Sequence, residues 1–190
     1  MNRRGLIGSL PGPPADFSFK CINSVEDILL EDPRLGPRPL KRCEDGKLLS
    51  QAINLSYNTL TDLRGFRDVV DKLLVEPSNL SWIDLSFNDL SAIDSVLTSY
   101  RSLCVLNLHG NSISHLSQVD KLAALPNLKS LTLHGNPING ETGYRSYVLS
   151  VLPQLKSLDF SLVTKQDRIT ADTWRRINIK SRRASRVKNE

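Results

Sequence analysis

The chain has 190 residues, enough for one domain with a buried core and short flanks. Its apolar and charged fractions are those of a soluble globular protein, and no apolar run approaches the roughly 18 residues a membrane helix needs. The net charge of +5 is uneven: residues 1–47 are nearly balanced, 48–173 slightly acidic, and 174–190 carry seven Lys/Arg against one Asp/Glu.

Residues 1–47 read as an N-terminal arm, partly extended, since PGPP and PRLGPRP punctuate it and proline density favours extended chain. Its start, MNRRGLIGSLPGPP, lacks a signal peptide's long apolar core, and about the first twelve residues are expected to be disordered. In SVEDILLED, Ser24 and Asp27 resemble a capping box that opens a short helix near 25–31, with Val25, Ile28 and Leu29. The stretch from Phe17 to Leu30 is expected to cover the open N-terminal end of the domain that begins at residue 48, or to grip a partner. Cys21, Cys43 and Cys104 are odd in number, widely spaced and without a CxxC pair, which fits reduced thiols in a cytosolic protein.

From 48 to 140 the chain repeats L-x-x-L-x-L-x-x-N-x-L. Leu80, Ile83, Leu85, Asn88 and Leu90 match in full, followed by Leu103, Leu106, Leu108, Asn111, Ile113 and by Leu128, Leu131, Leu133, Asn136, Ile138. An earlier copy has Ile53, Leu55, Asn58 and Leu60 but Ser50 in the first leucine slot. A partial one has Leu155, Leu158 and Phe160 with Val163 in the asparagine slot. These spacings are those of leucine-rich repeats. The prediction is an α/β solenoid of about five coils, with parallel strands on a concave face and a helical convex side. Alternating leucines point inward, and Asn58, Asn88, Asn111 and Asn136 close the turns by bonding backbone that would otherwise be unpaired. On the return path, the connection 64–77 places Phe66, Val69, Val70, Leu73 and Leu74 on one helical face. Helical spacing recurs at Ile93, Val96, Leu97 and Tyr100, and at Leu116, Val119, Leu122 and Leu125.

Outward strand positions align into rows: Ala52, Trp82, Val105, Ser130, Ser157, and beside them Asn54, Asp84, Asn107, Thr132, Asp159. Together with Tyr57, Phe87, His109 and His134 just beyond the strands, Asn54, Trp82, Asp84, Asn107, Thr132 and Asp159 form the candidate partner-binding face. Trp82 is its favoured residue, because tryptophan and tyrosine are enriched at interface hot spots. His109 and His134 occupy one repeat slot, one coil apart, so their rings can touch. That slot holds Ser56, Ser86 and Ser161 in other coils, and no carboxylate or cysteine of the row completes a ligand set. No metal, cofactor or catalytic residue is therefore expected, and no phosphate loop or nucleophile motif appears.

Residues 141–173 read as the last repeat and a cap, with Asp159 and Arg168 tying it together. The tail 174–190 is too poor in apolar residues beyond Ile179 to fold. Its Arg175, Arg176, Lys180, Arg182, Arg183 and Arg186 suit an acidic surface, and Arg182-Arg183-Ala184-Ser185 is similar to a basophilic kinase site. Binding of nucleic acid is disfavoured, because the strand rows hold no lysine or arginine.

PRPLKR, WIDLSFNDL (82–90), LHGNSI (108–113), SLTLHGNPI (130–138), GYRSYVL (143–149), VTKQDR (163–168), Trp174 and INIK (177–180) carry a more specific resemblance. The chain resembles the short leucine-rich-repeat proteins of the cytosol and cilium, similar in architecture to the leucine-rich light chain of axonemal dynein. The resemblance implies a cytoplasmic, non-enzymatic scaffold without cofactor, located in the axoneme of a cilium or flagellum. Other axonemal proteins or tubulin would be its partners, with no small-molecule substrate and no membrane. A cytosolic adaptor or regulatory subunit of an enzyme such as a protein phosphatase is the alternative, although KSLDF (156–160) has leucine where that docking motif wants valine or isoleucine.

Overall fold

The computed structural model describes residues 12–187, with side chains through Asn178. The disorder expected of the start of the chain falls outside the described residues, apart from Gly12. Seven short strands form one sheet: β1 (Ala15–Asp16), β2 (Ala52–Asn54), β3 (Trp82–Asp84), β4 (Val105–Asn107), β5 (Ser130–Thr132), β6 (Ser157–Leu158) and β7 (Ser161–Leu162). They lie in chain order; β1 to β6 are parallel and β7 turns back antiparallel on β6. The register places Ala52, Trp82, Val105, Ser130 and Ser157 side by side, and likewise Asn54, Asp84, Asn107 and Thr132. This is the solenoid the leucine spacing predicts.

One continuous core runs the length of the stack. Leu80, Ile83, Leu85 and Leu90 of one coil are buried against Leu103, Leu106, Leu108 and Ile113 of the next. No coil could bury this surface alone, which is why the repeats stand only as a stack. The asparagines bind neighbouring coils as well as their own turn. Asn88 Nδ2 donates to the Leu55 carbonyl of the preceding coil (2.9 Å) and to Leu85 of its own (3.1 Å), while Oδ1 accepts from Leu60 N (3.0 Å). Asn111 repeats this with Leu85 O, Leu108 O and Leu90 N, and Asn136 with Leu108 O, Leu133 O and Ile113 N.

The convex side is helical, but mostly as 3₁₀ turns. The long connection forms an α-helix there, α1 (Phe66–Leu73), burying Phe66, Val69, Val70 and Leu73. Ser95–Ser99 and Leu116–Ala124 are 3₁₀. A short coil has few residues in which to return, and the 3₁₀ helix, rising about 2.0 Å per residue against 1.5 Å, covers the distance with fewer.

The N-terminal arm completes the solenoid as a degenerate coil. Strand β1 pairs with β2, and Phe17, Ile22, Val25 and Ile28 are buried. Phe17 N donates to Asn54 O (2.8 Å) and Phe19 N to Ser56 O (3.2 Å), as Leu55 N does to Asp84 O and Tyr57 N to Ser86 O one coil later. Ser50, out of place in a leucine slot, is accounted for by the arm: its hydroxyl donates to Pro13 O (2.8 Å). The arm comes so close that a Cβ on Gly12 would overlap the Leu49 carbonyl.

Two elements depart from the sequence reading at the C-terminal end. Phe160, which the repeat spacing puts in a core slot, is 69% exposed, because Asp159 (φ 52°) and Phe160 (φ 61°) turn the chain back from β6 into β7. Residues 174–187 of the basic tail, expected to be unfolded, are the second half of the helix α3 (Lys165–Val187), which packs on α2 (Tyr144–Val151). Thr164 and Asp167 cap its start reciprocally (Thr164 N to Asp167 Oδ2, 2.8 Å; Asp167 N to Thr164 Oγ1, 3.0 Å). Ala171 is buried and Trp174 meets Tyr147 edge-on at 5.5 Å. Once such a nucleus is docked, arginine, lysine and alanine extend a helix at little cost.

Candidate protein-binding face

The turn after each strand needs a residue in the left-handed region just before its asparagine. Gly110 (φ 66°) and Gly135 (φ 73°) supply it freely, whereas Tyr57 (φ 56°) and Phe87 (φ 53°) adopt it against a steric penalty of roughly 1–2 kcal/mol each. Ring stacking offsets part of that. Phe19, Tyr57 and Phe87 form a column with centroids 4.3 Å apart at each step, and Phe87 then meets His109 edge-on at 5.1 Å. A Cβ at Gly110 would lie 2.7 Å from the Phe87 ring, so glycine there makes room for it. His109 and His134 stack at 4.6 Å and 8°, and Phe160 closes over both at 5.6 and 5.5 Å. Six aromatic side chains thus line the rim where the parallel strands end.

This rim changes which of the sequence-derived residues can meet a partner. Thr132 is completely buried and Asn107 nearly so, although strand alternation predicts both to face outward. The cause is the histidine pair: His109 Nδ1 bonds Thr132 Oγ1 (2.8 Å), drawing the imidazole back over the row. Burial lowers the His109 pKa from its ordinary value, aided by the neighbouring His134 and opposed by Asp84 and Asp159. Asp159 also leaves the row. From its turn, Oδ1 accepts from Leu133 N (2.6 Å) and His134 N (2.9 Å), and Oδ2 accepts from the Tyr144 hydroxyl (2.8 Å). It clamps the cap rather than facing a partner, and burial followed by Asp159 pushes the Tyr144 phenol well above its usual range.

The open part of the face is its N-terminal half. Tyr57 is 45% and Phe87 41% exposed, and Trp82, Asn54 and Asp84 are half-buried. Asp84 is held by Ser86 N (2.9 Å), Ser86 Oγ (2.6 Å) and Asn107 Nδ2 (2.8 Å). Among the described residues no group of three or more His, Cys, Asp or Glu lies together as a metal site. The histidines instead spend Nδ1 on Thr132 and, at 3.4 Å, on Asp159. In the cap, Arg168 reaches the Leu155 carbonyl, and the ion pair is Arg145 with Asp167 (2.9 Å). Arg175 and Arg176 are exposed on α3, whose backbone also carries Lys180, Arg182, Arg183 and Arg186.

Sequence reasoning missed Phe19 and Phe160. Phe19 was detectable: Ala15-Asp16-Phe17-Ser18-Phe19 tracks Ile53-Asn54-Leu55-Ser56-Tyr57 step for step. Phe160 was not, since its leucine-slot spacing gives no sign of the reversal.

The pattern of the leucine-rich repeat family matches residues 50–188, nearly three quarters of the chain. Leucine-rich repeat-containing protein 51 of Macaca mulatta is 55% identical over 97% of this chain and 96% of its own length. The Homo sapiens protein of that name is 54% identical over the same shares. The chain belongs to the leucine-rich-repeat proteins, in the family of leucine-rich repeat-containing protein 51. Among solved structures, a leucine-rich-repeat fold is shared with a chain of the Drosophila melanogaster SNF/U2A′ complex. The TM-score is 0.55 and the identity 29%, over 64% of this chain and 66% of that one. Leucine-rich-repeat proteins are in general interaction modules without catalysis, and the half-open face with its aromatic rim fits that use.

Proposed function

We propose that this leucine-rich-repeat chain is a non-enzymatic scaffold that binds another protein across the N-terminal half of its strand face and serves as a structural part of the ciliary or flagellar axoneme. The observation that carries the binding role is Trp82: a large, half-buried aromatic on the open row between Ala52 and Val105, with the exposed Tyr57 and Phe87 beyond the ends of their strands. Such side chains are retained on a surface mainly where a partner covers them. Membership of a protein complex by the Drosophila neighbour supports the same use of the fold. Arg175 and Arg176, with the basic residues that come after them on α3, would fasten the scaffold to an acidic neighbour such as the tubulin surface.

The test is extraction of cilia or flagella carrying tagged protein, first with detergent and then with rising salt. Retention after detergent, release at high salt, and early release of Trp82→Ala are expected. Release of the native protein by detergent alone would defeat the axonemal reading.

A further inference from the structure

Resting on that binding face, we propose that Trp82 and Asp84 form a receptor for an arginine side chain carried by a basic segment of the partner protein. Both residues point to the same side of β3, two positions apart and hence about 6–7 Å along the strand. The indole is half-buried on the row between Ala52 and Val105, and among the described residues no other ring stacks on it and its N–H has no acceptor. Tryptophan is the best of the aromatic faces for a cation.

Asp84 completes the pair. Its hydrogen bonds from Ser86 and Asn107 hold the carboxylate in place, yet among the described residues no lysine or arginine forms an ion pair with it. The strand positions pointing outward on β1 to β5 include Asp16 and Asp84 and no basic residue at all, so the face is complementary to a cation. A planar guanidinium suits the geometry better than an ammonium. It can lie flat on the indole while its N–H groups reach the carboxylate. The molecule already uses this chemistry at the end of the rim, where the Arg34 guanidinium sits 5.5 Å from the centre of the Phe19 ring. Of the exposed rings on the neighbouring rim, Tyr57 does not compete for the cation, because Phe19 and Phe87 stack on its two faces.

The chain has two tryptophans, so its indole N–H signals in a nitrogen–proton spectrum number two, assigned with Trp174→Phe. The full chain is titrated with N-acetyl-arginine amide, and separately with the neutral isostere N-acetyl-citrulline amide. The Trp82 signal is expected to shift saturably with arginine and not with citrulline, while the Trp174 signal stays in place. Asp84→Asn should weaken the arginine response at least about fivefold. The spectrum itself reports whether that variant is folded; if it is not, loss of the native chain's response at high salt is the equivalent observation. Equal shifts with arginine and citrulline, or an arginine response untouched by both Asp84→Asn and salt, would overturn the proposal. A protein partner that crosslinks at position 82 without arginine selectivity would defeat this inference alone and leave the binding face standing.

Discussion

The Leu55, Leu85 and Leu108 carbonyls of the asparagine ladder are each shared by two asparagines, and that predicts a specific non-additivity. Removing Asn88 with alanine leaves Leu60 N without an acceptor, whereas Leu55 O keeps its bond from Asn58 (3.0 Å) and Leu85 O keeps that from Asn111 (2.9 Å). One buried orphan at about 1–3 kcal/mol, plus two weakened carbonyls, gives a loss of about 2–3 kcal/mol. Asn111→Ala acts alike, orphaning Leu90 N. In the double variant Leu85 O loses both donors, so the total loss should exceed the sum of the single ones by about 1 kcal/mol. Asn88 and Asn136 share no carbonyl, and their double variant should be additive within about 0.5 kcal/mol. Urea unfolding at constant m-value measures all of these. Additivity for Asn88 with Asn111, or coupling for Asn88 with Asn136, would refute the shared-carbonyl account.

Gly110→Ala should destabilise by at least about 1 kcal/mol more than Gly46→Ala in the same assay, since both have positive φ but only Gly110 faces a ring, Phe87 at 2.7 Å. His109 is neutral more readily when folded than when unfolded, so the unfolded chain binds more protons below its ordinary value of about 6.5. Stability should therefore fall as pH drops through that window, and His109→Gln should flatten this limb of a stability-against-pH curve. The Arg145 guanidinium and the Thr164 amide hold the Asp167 carboxyl below the usual carboxylate range. That contribution is present above about pH 4 and lost as pH falls further, and Asp167→Asn should remove it from the acid limb.

Most of the solenoid was legible because its determinants are local and periodic. Leucines at fixed spacing meet their counterparts one coil on, and Asn88 or Asn111 needs only its own turn and the preceding one. The aromatic rim was less legible. That His109 and His134 share a slot was readable, but not that His109 would turn back to Thr132 and bury it, since this depends on the side chain's rotation. Asp159 and Phe160 misled for another reason: the two-residue reversal lacks the glycine that would announce it and is held by contacts with Tyr144 and the histidines, on other coils and in the cap. The helix α3 was hidden because its stability begins at Thr164, Ala171 and Trp174, upstream of the basic run.

The central claim, that the open half of the strand face is where a protein partner sits, is tested most directly by site-specific photo-crosslinking in ciliated cells. p-Benzoylphenylalanine is placed at Trp82, at Phe87, or at the exposed Arg67 on α1 of the convex side. One and the same protein crosslinked from positions 82 and 87, and absent from 67, is the predicted result. A partner captured from position 67 and from neither position of the strand face would contradict the account.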